Sequence, residues 1–178
     1  PLFVCEGNNV EDPIQSMPGV SRYSIDKLLH KVEEAVKLSI PAIAIFPQIE
    51  PSLKNAEGSL AFDENNLVCR SIKNIKKEFS GIGIICDVAL DPFTDHGHDG
   101  LVVNDKIDND KTLDILEKQA LVQVHAGCDV IAPSDMMDGR VGRIRTVLDS
   151  NNFQDTIILS YAAKYASGFY GPFRDAIG

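Results

Sequence analysis

Residues 81–90 of the sequence, GIGIICDVAL, form an almost uninterrupted apolar run with one acidic residue, Asp87, near its end. A strand without alternation of apolar and polar residues is typical of a parallel sheet that is covered on both faces. Four similar runs lie at 1–4 (PLFV), 42–46 (AIAIF), 129–134 (DVIAPS) and 156–161 (TIILSY). Four segments with apolar residues at helical spacing separate the runs, so the sequence predicts an α/β fold of order β-α-β-α-β-α-β-α-β.

Two architectures are compatible with this order, a doubly wound open sheet and a (β/α)8 barrel. A barrel commonly needs about 250 residues, so the 178 residues of this chain would supply only part of one. After the first run the sequence reads CEGNNVEDPIQSMPGV, without the glycine-rich turn of a dinucleotide-binding fold. This observation weakens the doubly wound alternative without deciding between the two.

The composition is that of a globular chain, with 44% hydrophobic residues and a formal net charge of -9. Because acidic residues outnumber basic ones by 26 to 17, we expect a small-molecule partner and no nucleic acid. No apolar run approaches the roughly 20 residues that cross a bilayer and no signal peptide is evident, so we expect no membrane partner and a cytoplasmic location. The cysteines lack C-x-x-C spacing and are expected to be reduced, partly buried thiols: Cys5, Cys69, Cys86 and Cys128.

Polar and aromatic residues cluster directly after four of the predicted strands. The clusters read PQIEP (47–51), DPFTDHGHDG (91–100), SDMMDGR (134–140) and KYASGFYGPFR (164–174). In a parallel α/β fold the carboxyl ends of the strands face one common side, where active sites form. The sequence therefore predicts that these clusters meet at a single cavity.

Lys164 stands in the stretch SYAAKYASGFYGPFRDA (160–176), among tyrosines and phenylalanines. Burial among aromatic rings would lower the pKa of this amine and leave it able to attack a carbonyl group as a Schiff-base lysine. The alternative is a lysine whose stem packs on tyrosines while its ammonium reaches water. Arg174 follows a Gly-Pro turn and would bind a substrate carboxylate through two hydrogen bonds. The alternative is a surface arginine that pairs with Asp175.

The loop that follows the central strand is rich in acidic residues. Asp91 and Asp99 flank two histidines there, and such a loop would bind a hard cation or a substrate ammonium, or be only a polar loop. In the next cluster, Asp135 is a candidate for proton transfer, while Ser134 would be a polar group of the site or only a helix N-cap.

Three long motifs carry a resemblance to a known family: DVALDPFTDHGHDG (87–100), APSDMMDGR (132–140) and SYAAKYASGFYGPFRDA (160–176). Together they closely resemble the porphobilinogen synthases, or 5-aminolevulinate dehydratases, and the likeness extends back to PLFVCEG at the start of the chain. It implies a lyase of (β/α)8 barrel fold that condenses two 5-aminolevulinate molecules into porphobilinogen for haem and other tetrapyrroles. It also implies a homo-oligomer, an octamer or a hexamer.

The resemblance also implies roles for individual residues. Lys164 matches the first of two Schiff-base lysines, and Arg174 matches the arginine that binds a substrate carboxylate. Asp87 matches an aspartate near the reacting amines, with Asp135 as a proton-transfer partner. Three further residues match substrate-binding positions at the fourth strand end and in the lid: Ser134, Phe169 and Tyr170.

Three positions of the sequence indicate which metal the resemblance implies. In the zinc-dependent branch three cysteines stand where this chain has Ala89, Asp91 and Asp99, so zinc is not expected. The aspartate-rich branch tends to use Mg²⁺, sometimes with a monovalent cation, and its regulatory magnesium is bound by residues beyond this chain. Asp91 and Asp99 are weak metal candidates, and we expect them to hold a substrate ammonium instead, because two carboxylates make a poor magnesium cage.

The resemblance extends to only part of a subunit. Residues 1–178 are expected to form one domain, a partial barrel of about five strand-helix units that lacks the last strands and the N-terminal arm. The second lysine is missing as well, so a longer subunit is expected, whose open sheet edges would otherwise favour aggregation. The alternatives are a Schiff-base aldolase of the same barrel class and a truncated fragment without catalytic activity.

Overall fold

The computed structural model describes residues 1–165, 167–168 and 170–178. Within these ranges the strands, numbered in chain order, are β1 Leu2–Val4, β2 Glu11–Pro13, β3 Ser21–Tyr23, β4 Ala42–Pro47, β5 Gly83–Val88, β6 Val102–Val103, β7 Lys106–Ile107, β8 Val130–Pro133 and β9 Ile157–Ile158. The helices are α1 Ile25–Lys37, α2 Leu67–Glu78, α3 Asn109–Ala126, α4 Arg140–Ser150 and α5 Tyr170–Ile177. Two short 3-10 turns, Pro51–Leu53 and Ser59–Phe62, precede α2.

Five strands, β1, β4, β5, β8 and β9, are those that the sequence predicts, and they pair side by side in chain order. All four pairings are parallel, and the register between β5 and β8 sets Asp87 opposite Ala132. A doubly wound sheet reverses its strand order at a switch point, whereas a barrel continues in one direction. Among the five predicted strands the order is unreversed, as in a barrel, which agrees with the fold prediction of an α/β chain that forms part of a (β/α)8 barrel.

The two faces of this sheet differ in burial. One large apolar cluster joins the buried residues of α1, α2, α3 and α4 to strand residues such as Ile45, Ile84 and Ile131. Along β4 and β5 buried and partly buried residues alternate, so the opposite face is only half covered. The expectation that both faces are fully covered is therefore wrong for the described residues, because these four helices pack on the same side.

The sequence does not predict two strands at the edge of the sheet. β3 pairs parallel with β1 and antiparallel with β2, within the segment that reads as a turn with prolines and acids. Both strands are only three residues long and largely polar, so no apolar period marks them. The last predicted strand, residues 156–161, is also shorter than expected, since β9 covers Ile157–Ile158 alone.

Helix α5 returns across the half-covered face of the sheet. Its Ala176 and Ile177 are buried in a second apolar cluster with Phe3 and Ile14. The Phe173 ring packs edge-on against Phe46, with 4.9 Å between ring centroids. The segment that follows the fifth strand is thus brought back to the first two strands of the barrel.

All four cysteines are buried free thiols, as predicted. Burial raises the pKa of the Cys69 thiol to about 11, so this group stays protonated at neutral pH. No helix in the part of the chain that the structure describes is long and apolar enough to cross a membrane.

Candidate active site

The segments that follow β5, β8 and β9 border a cavity of about 400 Å³. Parallel pairing brings the ends of these strands together, and the segment after β9 folds over them. The lining includes six residues with polar or charged side chains: Asp99, Ser134, Asp135, Arg140, Lys164 and Tyr170. The structure thus brings the predicted lysine together with the acidic loop and with the fourth strand end.

Lys164 lies at this cavity in a setting that differs from the expected one. Its Nζ donates a hydrogen bond to the backbone oxygen of Ser134 at 3.1 Å and lies 5.5 Å from the centre of the Tyr170 ring. Partial burial acts to lower the pKa of the amine, but the charges of Asp99, Asp91 and Asp87 raise it above its usual value. Of the two alternatives, the structure favours the ammonium that reaches water, because Lys164 is exposed and the charges of carboxylates distant in sequence raise its pKa.

Asp87, near the end of β5, has a buried carboxyl group. Its Oδ1 is buried without a hydrogen-bond partner among the described residues. Burial raises the pKa of Asp87 to about 6, while the Ser134 side chain and the charge of Lys164 act in the opposite direction. The group can therefore gain and lose a proton near neutral pH.

The pKa of Asp91, in the loop after β5, is raised further than that of Asp87. Burial, followed by the charges of Asp99 and Asp87, raises the pKa of Asp91 to about 7, against the effect of Lys164. The charges of Asp87, Asp91 and Asp99 all act on the lysine. A protonated amine and the carboxyl groups of Asp87 and Asp91, whose pKa values are raised to about 6 and about 7, can exchange protons within one site.

Asp135 follows β8 and its side chain is fully buried. Its Oδ1 accepts a hydrogen bond from the backbone N–H of Met137 at 2.7 Å, and its Oδ2 lies 3.4 Å from Nε of Arg140. Burial nevertheless raises the pKa of Asp135 to about 6. Ser134 beside it is not an N-cap, since α4 begins at Arg140 with Gly139 as its cap.

Arg140 is a residue of the site that the sequence reasoning missed. Besides pairing with Asp135, it donates hydrogen bonds to the backbone oxygens of Met137 at 3.3 Å and Tyr161 at 3.2 Å. It therefore ties the segment that carries Lys164 to the start of α4. Its place in the SDMMDGR cluster is the signal that could have identified it.

Arg174 lies in a second cavity of about 1010 Å³ and does not line the cavity of Lys164. The two cavities adjoin, because Asp99 and Tyr170 line both. Lys54, which the sequence reasoning also missed, lines the second cavity with Asp91 and Arg174. The predicted single cavity is thus a pair of adjoining cavities, and the predicted lid residue Phe169 lies outside the described residues.

The donor groups near Asp91 and Asp99 bear on the metal question. Within residues 1–165, 167–168 and 170–178, no group of three or more histidine, cysteine, aspartate or glutamate side chains is placed to hold a metal ion. Magnesium takes six oxygen ligands in near-octahedral geometry. Asp91 and Asp99 alone therefore do not fit a magnesium site.

Comparison with known proteins identifies relatives of the chain. Residues 1–178 match the family model described as delta-aminolevulinic acid dehydratase. The enzyme of that name from Bradyrhizobium diazoefficiens is 60% identical over 178 residues, which are 100% of this chain and 50% of that protein. The one from Chlamydia pneumoniae is 45% identical over 177 residues, which are 99% of this chain and 53% of that protein.

A solved structure supports the same relationship. The delta-aminolevulinic acid dehydratase (porphobilinogen synthase) of Toxoplasma gondii ME49, in complex with the reaction product porphobilinogen, superposes with a TM-score of 0.96 at 46% sequence identity. The match covers 99% of this chain and 51% of that one, so the chain spans about half the length of these relatives. On the family match over residues 1–178 and these likenesses, the chain belongs to the delta-aminolevulinic acid dehydratase family.

Proposed function

We propose that residues 1–178 supply the first Schiff-base lysine and the carboxylate-binding arginine of a porphobilinogen synthase subunit. The observation that carries the proposal is the position of Lys164 in a cavity lined by Asp99 and Asp135, where the charges of Asp87 and Asp91 also act on it, in a chain that matches this family along its whole length. The substrate is 5-aminolevulinate, a keto acid with an amino group. Each of these three functional groups has a counterpart at the paired cavities.

In this proposal the lysine acts on the ketone. Lys164 Nζ gives a proton to the carboxylate of Asp87 or Asp91 and attacks the carbonyl carbon. The carbonyl oxygen leaves as water with one proton from the attacking nitrogen and one from the carboxylic acid. A protonated C=N bond to the lysine replaces the C=O bond, and the carboxylate is regenerated.

The other two groups of the substrate are bound by charge. Arg174 binds the carboxylate, and Lys54 adds a second positive charge to the same cavity. Asp91 and Asp99 hold the amino group as an ammonium, and Asp135 serves as a further proton-transfer group. Condensation with a second 5-aminolevulinate molecule, with loss of two waters in total, completes the reaction with the second lysine of the subunit.

The proposal includes the magnesium-type branch of the family, a homo-oligomeric assembly and a cytoplasmic location. Support for the branch comes from Ala89, Asp91 and Asp99, which offer no thiolate where zinc-dependent relatives have cysteines. Since Asp91 and Asp99 do not fit a magnesium cage, no step of the mechanism passes through a metal bound to them. The regulatory magnesium of this proposal is held by residues outside the chain.

Borohydride trapping tests the proposed function. Treatment of the complete subunit with 5-aminolevulinate and borohydride reduces the C=N bond to a stable amine, and we expect peptide mapping to locate that adduct at Lys164. Lys164→Ala removes this adduct and lowers porphobilinogen formation by at least about a hundredfold. After chelation of divalent ions, we expect Mg²⁺ and not Zn²⁺ to restore activity.

Lys118→Ala is the matched control, because the Lys118 ammonium also lies over an aromatic ring, 5.6 Å from the centre of Phe62. That variant should keep both the adduct and the activity. An unmodified Lys164 peptide together with full activity of Lys164→Ala would refute the proposal. Cleavage of a sugar phosphate with the same trapped lysine would indicate an aldolase instead.

A further inference from the structure

The carboxyl end of α5 is bound by an arginine from the edge of the sheet. Arg22, in the middle of β3, donates from Nε to the backbone oxygen of Ala176 at 2.7 Å and from Nη2 to the backbone oxygen of Asp175. Its Nη1 pairs with the carboxylate of Asp12 at 2.6 Å. The three guanidinium nitrogens therefore all have partners, and two of the partners lie in the last turn of α5.

The chemistry of a helix end explains why a guanidinium suits this position. The last carbonyl groups of a helix have no partner within the helix, and the carboxyl end carries a partial negative charge. The planar guanidinium offers donors in a fixed fork, which can bind two adjacent carbonyl groups at once. Asp12, opposite Arg22 in the β2–β3 pair, holds the fork in place.

Apolar packing brings α5 to the sheet but does not fix its position by itself. Phe173 contacts two rings, those of Phe3 and Phe46, with 5.9 Å and 4.9 Å between centroids. The burial of apolar surface is itself non-directional, and ring pairs hold their geometry only weakly, so these contacts leave the position of the helix along its axis less defined than hydrogen bonds do. The hydrogen bonds from Arg22, whose side chain is only 16% exposed, define one position along the helix axis.

The position of α5 determines where two functional side chains lie. Tyr170 begins the helix and lines both cavities, and Arg174 lines the larger cavity one turn later. Arg22 lines neither cavity. A small displacement of the helix therefore moves Arg174 relative to the fixed strand ends that carry Asp87 and Asp135.

We infer that Arg22 is a positioning residue for substrate carboxylate binding, acting through α5 on Arg174, an inference that rests on the function proposed above. Arg22 makes no contact with the substrate. Its hydrogen bonds to the helix end hold α5, and with it the Arg174 side chain that lines the larger cavity, in one position. Misplacement of a binding group weakens both the ground state and the transition state, so the effect falls on KM more than on kcat.

Steady-state kinetics of the complete subunit test this inference with Arg22→Met, which keeps the apolar stem and removes the fork. We expect the KM for 5-aminolevulinate to rise about tenfold while kcat changes less than about threefold. Arg22→Lys should restore part of the affinity, because an ammonium can still donate to one carbonyl group. This milder variant also serves if Arg22→Met does not fold.

Arg145→Met is the matched control. Arg145 likewise donates to two backbone oxygens, those of Phe153 at 2.7 Å and Thr156 at 2.8 Å, and pairs with Asp149, but at the opposite end of the sheet. Arg145→Met should lower the melting temperature about as much as Arg22→Met and leave KM unchanged. An equal rise of KM in both variants would mean that Arg22 acts only through stability, and it would overturn the inference.

Borohydride trapping with two ketones separates this inference from the proposed function. With 5-aminolevulinate, half-trapping of Lys164 in Arg22→Met should need about tenfold more ketone than in the unaltered protein. With aminoacetone, which has no carboxylate, the two proteins should trap alike. If Arg22→Met and the unaltered protein trap alike with 5-aminolevulinate as well, only the role of Arg22 is overturned. If the unaltered protein shows no trapping at all, the proposed function is overturned.

Discussion

The three carboxyl groups around Lys164 determine how protons are distributed in the site. Burial raises the pKa of Asp87 to about 6 and that of Asp91 to about 7, and both lie in the field of Asp99. Like charges at close range cannot all be ionised without cost, so at neutral pH Asp87 and Asp91 are partly protonated while Lys164 carries its charge. A second ammonium, brought by a substrate, would favour ionised carboxylates and loss of the proton from Lys164. The raised pKa of the resting lysine is thus compatible with a nucleophilic role.

Asp91→Asn should stabilise the folded chain in a pH-dependent way. Because the pKa of Asp91 is raised on folding to about 7, the folded state binds more protons than the unfolded state between about pH 4 and 7, and the contribution of this group to stability is lost as the pH rises through that window. Asparagine stays neutral, so the variant should gain on the order of 4 kcal/mol at pH 8 and almost nothing at pH 4. Urea unfolding at both pH values measures the difference.

Asp95→Asn, in the same loop but exposed, is the control and should change the free energy of unfolding by less than about 0.5 kcal/mol at either pH. If Asp91→Asn has the same effect at pH 4 and pH 8, the carboxyl group does not titrate as described. The stabilised variant should also bind 5-aminolevulinate less well, since stability gained at a strained site is commonly lost from function.

At the scale of elements, the parallel strands could be predicted because their residues carry the information themselves. The apolar runs of β4, β5 and β8 need no partner to be recognised, and the clusters that follow them fixed the side of the sheet on which the site lies. The β3 strand could not be predicted, because Ser-Arg-Tyr has no apolar period and forms a strand only by pairing with β1 and β2. The charged surroundings of Lys164 could not be predicted for a similar reason. Asp87, Asp91 and Asp99 are distant from it in sequence, and only the folded sheet brings their charges to it.

Helix α2 depends on a buried cap that also holds the turn before it. Asn66, 2% exposed, accepts a hydrogen bond from the backbone N–H of Cys69 at 2.8 Å and donates to the backbone oxygens of Leu60 and Ala61 at 3.2 Å. Asn66→Ala should therefore lower the free energy of unfolding by about 2 to 3 kcal/mol, through the cap and through two buried carbonyl groups left without this donor. Chemical denaturation measures the loss.

Asp108→Ala provides the comparison. The Asp108 side chain caps α3 by accepting a hydrogen bond from the backbone N–H of Lys111 at 3.0 Å, and among the described residues it bonds to no segment outside the first turn of that helix. Its replacement should lower the free energy of unfolding by only about 1 kcal/mol. Equal losses in the two variants would mean that the bonds from Asn66 to the preceding turn contribute nothing.

At the scale of the whole molecule, the sheet ends in a strand with an unpaired edge. β9 pairs with β8 on one side, and it has no strand on its other side within the described part of the chain. Ile157 is 60% exposed there and Leu159, just beyond the strand, is 51% exposed. Unpaired backbone groups beside exposed apolar side chains favour pairing with another chain. In the proposed complete subunit, the remaining barrel strands would cover this edge.

Residues 1–178 produced alone should therefore self-associate through β9. We expect static light scattering to show an average mass that rises with concentration, and Leu159→Lys to reduce that rise several-fold, because a charge at an edge opposes strand pairing. The substitution should leave stability nearly unchanged, as surface changes commonly do. Leu38→Lys adds the same charge at a residue that is 75% exposed and lies after α1, away from any strand edge. A comparable reduction by Leu38→Lys would mean that net charge controls association, whereas an effect confined to Leu159→Lys assigns association to the edge that the rest of the barrel would close.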